Sequence, residues 1–329
     1  MSGKQDNTKS ASRPLIILTG PTAVGKTALS IGLAKAVGGE IISADSMQVY
    51  RGMDIGTAKI QPSEMQGVPH HLIDILEPAE PFHVAAFQEY CKHCIEEIYE
   101  RGHIPILVGG TGFYIQAVLY NIDFTQSDAD AAYRKEMQQI ADEQGAEVLH
   151  RKLLQIDPEA AEQIHPHNVK RTIRALEYYH QTGQKISEHN AEEQQKTSPY
   201  QFRYYVLSLP REILYQRINQ RVDRMRQEGL EDEVRRLADA GCSREMVSMQ
   251  GLGYKEILQA FDGEISLEEA YDKIKQETRH FAKRQFTWFR RERDVTWLPK
   301  EQFASEEELL KYCIRDLQEQ GMINKTVGC

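Results

Sequence analysis

The chain has 329 residues, a net charge of −9 and the apolar and charged fractions of an ordinary globular protein. That length gives one large domain or two modest ones, and the charge excludes wholesale attraction to nucleic acid without excluding local basic surfaces. No apolar run approaches the roughly 20 residues that cross a bilayer, so no membrane partner is expected.

Residues 1–13, MSGKQDNTKSASR, are polar and carry no apolar h-region. They read as a disordered tail rather than a signal peptide, and the expected location is the cytoplasm. From Pro14 to about Tyr120 short apolar strands alternate with helical segments: LIILTG then KTALSIGLAKAVG, EIISAD, and AAFQEYCKHCIEEIYERG then IPILVGG. Such alternation predicts crossover units and a parallel sheet. Five scattered cysteines argue against a disulfide framework. Cys91 and Cys94 form a CxxC, but no second pair completes four metal ligands, and helical spacing puts both thiols on one half-buried face.

Gly20, Pro21, Thr22, Ala23, Val24, Gly25, Lys26 and Thr27 satisfy G-x-x-x-x-G-K-[ST] after an apolar strand and at a helix start. The two outer glycines let the backbone curl so that successive N–H groups converge on an anion. The helix adds its positive end, Lys26 a point charge, and Thr27 a hydroxyl for Mg²⁺. This motif specifies a diphosphate or triphosphate, not a nucleotide. A nucleotide hydrolase also needs an apolar strand ending in Asp. IPILVGG ends in Gly109 and Gly110, and HHLIDIL brings Asp74 after a short apolar lead, where a turn or cap role is common. No guanine-reading Asn-Lys-x-Asp is present. The well-placed acid is Asp45, at the C-terminal end of EIISAD, where an open α/β sheet gathers ligand groups; a loop cap is the alternative.

Residues 123–200 read as an all-helical insertion, helical from about Ser127 to Gln184 and then polar, SEHNAEEQQKTSPY. FRYYVLSL resumes the sheet, continued by the helical run PREILYQRINQRVDRMRQEGLEDEVRRLADAG. The core is therefore discontinuous, 14–122 and 201–315, with a tail over 316–329. From Leu267 to Glu292 there is no Pro or Gly, and Leu267, Ala270, Tyr271, Ile274, Phe281 and Trp288 recur at helical spacing. Arg279, Lys283, Arg284, Arg290, Arg291 and Arg293 crowd its end against Glu292 alone. Beside Phe and Trp in an acidic chain, these cations point to a polyanion contact, with a solvated helix face as the alternative.

In this order, GPTAVGKT, ISADSMQVYRGMDIGTAK, GVPHHLIDI, VGGTGFYIQA, HPHNVKRTIRALE and AKRQFTWFR resemble the tRNA dimethylallyltransferases, also called tRNA isopentenyltransferases. The resemblance runs from about Pro14 to Trp297, with His167 standing where that pattern carries Asn. It implies an α/β fold, a P-loop NTPase-like parallel sheet flanked by helices with an all-helical insertion domain, turned to prenyl transfer. The loop would hold the diphosphate of dimethylallyl diphosphate, with Mg²⁺, and the acceptor would be N6 of adenosine 37 in the tRNA anticodon stem-loop. The enzyme would act as a monomer. Arg217 and Arg221 would clamp the diphosphate, Asp45 would take the N6 proton, and Thr111 would hydrogen-bond at the reacting centre, compatibly with an N-cap role. Asp45, Ser46, Met47 and Gln48 would meet the flipped adenine. Lys170, Arg171 and Arg174, beside Tyr178, would grip the anticodon arm, with Tyr133 and Arg134 nearby. Gln250, Gly251, Gly253 and Tyr254 of SMQGLGYKE, and Arg279, Lys283, Arg284 and Gln285 of TRHFAKRQ, would complete the RNA surface.

Three rivals share parts of this pattern. A small-molecule or nucleotide kinase needs an Arg-rich lid and a base pocket, and neither has a clear signature here. An RNA-binding ATPase needs the missing strand-end acid. An adenylate isopentenyltransferase acting on free nucleotide needs neither the helical insertion nor its cations.

Overall fold

Parallel strands covered on both faces read as continuous apolar runs. The first strand is one: Leu15, Ile16, Ile17 and Leu18 are fully buried. The computed structural model describes residues 13–124 and 130–324. Most of the expected N-terminal tail (1–12), part of the expected insertion (125–129) and the last of the expected C-terminal tail (325–329) lie outside the described residues.

Strand β1 (Pro14–Thr19) leads into α1 (Lys26–Val37), β2 (Gly39–Ala44), β3 (His70–His71), α2 (Val84–Glu100), β4 (Ile104–Gly109) and α3 (Gly112–Leu119). A separate unit, Tyr120–Ser198, holds α4 (Ala131–Gln144), α5 (Ala146–Ile156), α6 (Pro158–Gln163), α7 (Val169–Thr182) and α8 (Ile186–Gln195). The first unit then resumes with β5 (Gln201–Ser208), α9 (Arg211–Gln227), α10 (Leu230–Asp239), α11 (Tyr254–Phe261), α12 (Leu267–Phe289), β6 (Val295–Pro299) and α13 (Glu306–Glu319).

Every ladder of the six-stranded sheet is parallel, in the order β3-β2-β4-β1-β5-β6. β1 pairs with β4 on one side (Ile16 opposite Ile106) and β5 on the other (Ile17 opposite Tyr204). The chain first crosses from β1 to β2 and later takes up β5 on the opposite side. Strand order therefore reverses at β1, which opens a crevice at its C-terminal end. The fold is the expected P-loop NTPase-like α/β sheet.

Four local readings change in the folded chain. The helical run after β5 breaks between α9 and α10 at Gly229, whose φ of 96° suits only a residue without Cβ. The polar run after Gln184 forms α8, because buried Asp157 accepts Ser187 N–H at 3.0 Å and Ser187 Oγ at 2.7 Å. Beyond the boundary expected at 315, α13 continues to Glu319. There Leu317 is buried, and Asp316 accepts a bidentate pair from Arg203 (2.6 and 2.7 Å) and the Tyr205 hydroxyl (2.5 Å). Finally, β6 adds an edge strand beside β5.

The cysteines fit the helix-face reading. Cys91 is fully buried in α2, and burial pushes the Cys94 thiol up to about 11. At the start of β2, buried Glu40 takes both nitrogens of an Arg101 fork at 2.9 Å and lies 2.6 Å from ring nitrogens of His71 and His103. The Arg101 guanidinium first, then the two imidazoles, hold its carboxyl at about 2, against the opposing effect of burial.

Candidate active site

The loop after β1 turns through left-handed backbone at Gly20 (φ 143°), Ala23 (φ 62°) and Gly25 (φ 96°). A Cβ on Gly20 would fall 2.6 Å from the Leu207 carbonyl, so strand β5 leaves room there only for glycine. Val24 is buried, anchoring the loop in the core. Lys26 donates to the carbonyls of Gly20 (3.0 Å) and Pro21 (3.1 Å). Burial, with the neighbouring Arg221 charge, pushes the Lys26 ammonium down to about 8 against the opposing pull of Asp45. Burial likewise lowers Arg221, again opposed by Asp45, and Arg221 donates to the Thr22 hydroxyl at 3.3 Å. Two cations and one carboxylate thus share the crevice above β1 and β2. Thr27 is exposed at the start of α1, available as an oxygen ligand.

One loop amide has another partner. Thr22 N–H donates to Gln285 Oε1 (2.9 Å), and Gln285 Nε2 donates to the Gly110 carbonyl (3.0 Å). Gln285, expected on an RNA surface, is instead buried in α12 and ties the phosphate loop to the β4–α3 loop. That second loop carries Thr111, whose N–H donates to Ala44 O at 3.3 Å, beside the end of β2. Gly109 is required here, because a Cβ would sit 2.2 Å from the Ala44 carbonyl. Asp45 Oδ1 accepts the Met47 N–H (2.9 Å) and, more weakly, that of Gln48 (3.4 Å). Its cap role is real, and it occupies one oxygen of two.

A cavity of about 360 Å³ is lined by Thr22, Asp45, Met47, Thr111 and Arg221, together with Gln250, Gly251 and Arg284. Met47, Ile218, Val222, Ile274 and Phe281 give it apolar walls. Beside it, a more polar cavity of about 830 Å³ is lined by Thr27, Asp54, Glu64, Arg217, Arg221 and Arg224. The wall after Asp45 is rigid because buried Glu233 accepts the N–H groups of Asp54 (2.9 Å), Ile55 (2.8 Å) and Gly56 (3.0 Å) and the Tyr254 hydroxyl (2.7 Å). Four bonds satisfy a carboxylate that would otherwise be costly to bury. Tyr254 is therefore almost wholly buried against this wall while still lining the 360 Å³ cavity, and a Cβ on Gly56 would strike its ring at 2.5 Å. Asp74 is engaged by buried Lys59 (2.5 Å), which also holds Asp54 at 2.7 Å, so it is a structural turn residue.

The cations expected to meet RNA divide into two kinds. Lys170 and Arg171 on α7, and Lys283 and Arg284 on α12, are exposed. Arg134 (2.7 Å) and Arg174 (3.1 Å) are also exposed but neutralise buried Glu177, and Arg279 donates to Asn219 at 2.7 Å. Tyr178 is buried against His189, so it offers no platform, whereas Tyr133 stacks on His180 with centroids 4.2 Å apart. Gly253, also buried, starts α11 with a φ of 98°.

Sequence reasoning missed Lys300. Its ammonium lies 2.8 Å, and the Arg217 guanidinium 3.7 Å, from where a Cβ on Gly25 would be, and Lys300 also pairs with Glu306. A lone lysine after a short edge strand carries no motif. Only the pairing of β6 with β5 brings it to the loop.

The chain matches the family model for IPP transferase over residues 48–292 and that for isopentenyl transferase over residues 14–77. It is 58% identical over 311 residues to the tRNA dimethylallyltransferase of Lachnoclostridium phytofermentans, covering 94% of this chain and 99% of that one. With the Geobacillus kaustophilus tRNA dimethylallyltransferase it shares 52% over 306 residues, covering 92% and 96%. Among solved structures, it is similar to the tRNA isopentenylpyrophosphate transferase of Bacillus halodurans (TM-score 0.70, 46% identity, covering 94% of this chain and 99% of that one). It is also similar to a eukaryotic dimethylallyltransferase acting on tRNA (TM-score 0.78, 30% identity, covering 96% and 82%). A phosphate loop joined to Asp45 and Thr111 around one cavity, with matches of this extent, places the chain in the IPP transferase family, the tRNA dimethylallyltransferases.

Proposed function

We propose that this chain transfers a dimethylallyl group from dimethylallyl diphosphate to N6 of adenosine 37 in tRNA, giving N6-isopentenyladenosine and diphosphate. The observation that carries this reading is the convergence of Arg221, Asp45 and Thr111 on the 360 Å³ cavity, with Lys26 close enough to feel the charges of Arg221 and Asp45. An exocyclic adenine amine is a poor nucleophile, since its lone pair is delocalised into the ring. The protein must therefore make C1 of the allyl group electrophilic by stabilising the departing diphosphate. Lys26, Arg221, Arg217 and the loop amides act where that negative charge develops.

As the C1–O bond breaks, its electron pair leaves with the diphosphate; the C1–N6 bond forms, and the N6 proton passes to Asp45. A positioned general base of this kind contributes roughly 10²- to 10⁴-fold. Thr111 holds the amine in line, and the apolar wall around Met47 and Phe281 keeps water from an electron-poor allyl carbon. The donors facing the larger cavity are oxygens, which suit Mg²⁺, an ion that combines one or two protein oxygens with substrate phosphates and water. Thr27 would hold it with the diphosphate, where it supplies charge neutralisation for the leaving group.

The exposed cations of α7 and α12 would grip the anticodon arm through its phosphates. The reading takes a monomer, working in the cytoplasm where its RNA substrate is found. The test is pyrophosphate release in the presence of Mg²⁺. It should require both tRNA and dimethylallyl diphosphate, and free AMP should not replace tRNA. Phosphoryl transfer from ATP without pyrophosphate release would make the chain a kinase instead.

A further inference from the structure

The basic end of α12 has two working faces. Thr278, Phe281 and Arg284 face the 360 Å³ cavity, whereas Lys283, Phe286 and Arg290 line a different cavity of about 630 Å³. The second cavity lies at the C-terminal ends of β5 and β6, completed by Arg211 and Tyr215 of α9 and Trp297 of β6. None of the residues that carry the proposed chemistry reaches it.

Its chemistry is specific. Phe286 and Trp297 lie parallel, with planes 3° apart and centroids 6.2 Å apart, and the Arg211 guanidinium sits over the Tyr215 ring at 5.0 Å. No carboxylate lines the cavity among the described residues. Elsewhere Arg101, Arg203, Arg226 and Arg244 have acidic partners, but Arg211, Lys283 and Arg290 have none among the described residues. Three cations left without counter-charge in a chain of net charge −9 favour an anion from outside. Flat aromatic faces beside such cations are the means by which unpaired nucleotides are held, by stacking and by phosphate contact.

We infer that this cavity takes an unpaired nucleotide of the RNA substrate other than the one prenylated. Its base lies against Phe286 and Trp297, and its phosphate meets Arg211, Lys283 and Arg290. The inference rests on tRNA being the acceptor. An RNA strand is favoured over a free nucleotide because Lys283 and Arg284 are adjacent in sequence and face the two cavities, so a strand that enters one runs past the other. The second cavity also lacks a glycine-rich cradle of amides for a terminal triphosphate.

The test compares wild type with Arg211→Ala/Arg290→Ala, both exposed positions, and with Trp297→Leu, checking that each melts as wild type does. The double variant should bind tRNA about ten-fold more weakly, with a salt slope shallower by roughly 0.7 for each phosphate no longer neutralised. Trp297→Leu should weaken binding by about ten-fold with no change of slope, because it removes stacking alone. Neither should alter kcat at saturating tRNA or KM for dimethylallyl diphosphate. Unchanged tRNA affinity in both, with wild type still prenylating tRNA, overturns this inference alone. Loss of AMP or ATP binding by calorimetry, with tRNA affinity intact, assigns the cavity to a free nucleotide and also overturns it. A wild-type protein that prenylates no tRNA overturns the function reading and this inference together.

Discussion

The backbone N–H of Thr22 donates to the side-chain carbonyl of Gln285 at 2.9 Å, joining residues 263 positions apart. Through its other end Gln285 holds Gly110, next to Thr111, so one buried amide sets the spacing between the diphosphate loop and the reacting-centre loop. Gln285→Leu leaves two backbone groups unmatched, a loss of roughly 1–3 kcal/mol. The expected result is a fall of about ten-fold in kcat/KM for dimethylallyl diphosphate, with tRNA affinity changed only a few-fold. A filter-binding titration beside steady-state kinetics separates this from a residue that grips RNA.

Asp45 has two jobs that one substitution can separate. Asn at this position keeps an acceptor for the Met47 N–H, now at 2.9 Å, but cannot take a proton. Asp45→Asn should therefore leave thermal stability and tRNA affinity nearly unchanged while lowering single-turnover prenylation by roughly 10²- to 10⁴-fold. A near-normal rate would remove the carboxylate from the chemistry.

Lys26 makes the rate pH-dependent. Its pKa is depressed to about 8, and the charged form is the one that attracts diphosphate. In the free enzyme that charge is lost as pH rises through about 8, so kcat/KM for dimethylallyl diphosphate should fall across that point. Lys26→Arg, which stays protonated, should lower the plateau but abolish this descending limb. Rate profiles at fixed ionic strength decide it.

Acid stability should depend on Glu40. Its folded pKa of about 2 lies below the ordinary 4.5, so it contributes stability above about 4.5 that is lost as pH falls through 2. For this buried carboxylate the contribution is on the order of 3 kcal/mol. Glu40→Gln should melt lower at neutral pH and show a flatter Tm profile between about pH 5 and pH 2.

The central sheet and the phosphate loop were legible because buried parallel strands leave unbroken apolar runs, and because Gly20, Gly25 and Lys26 have a spacing few other structures need. Asp45 could be found from its place at a strand end. What local pattern could not carry was tertiary pairing. Residues VTWLP of β6 are mostly half-buried and resemble loop, yet they bring Lys300 to the phosphate loop. Gln285 sits among cations in sequence and turns inward only because Thr22 and Gly110 wait for it. Arg134 and Arg174 look like free cations in sequence, yet both pair with Glu177, which the fold buries. Charge in a sequence does not reveal which partner neutralises it.

The most direct test is nucleoside mass analysis of unmodified tRNA after incubation with the protein, Mg²⁺ and dimethylallyl diphosphate. The account predicts a five-carbon gain on the adenosine 3′ of the anticodon, lost when Asp45 is Asn. Unaltered adenosine there, or equal gain with the Asn variant, would contradict it.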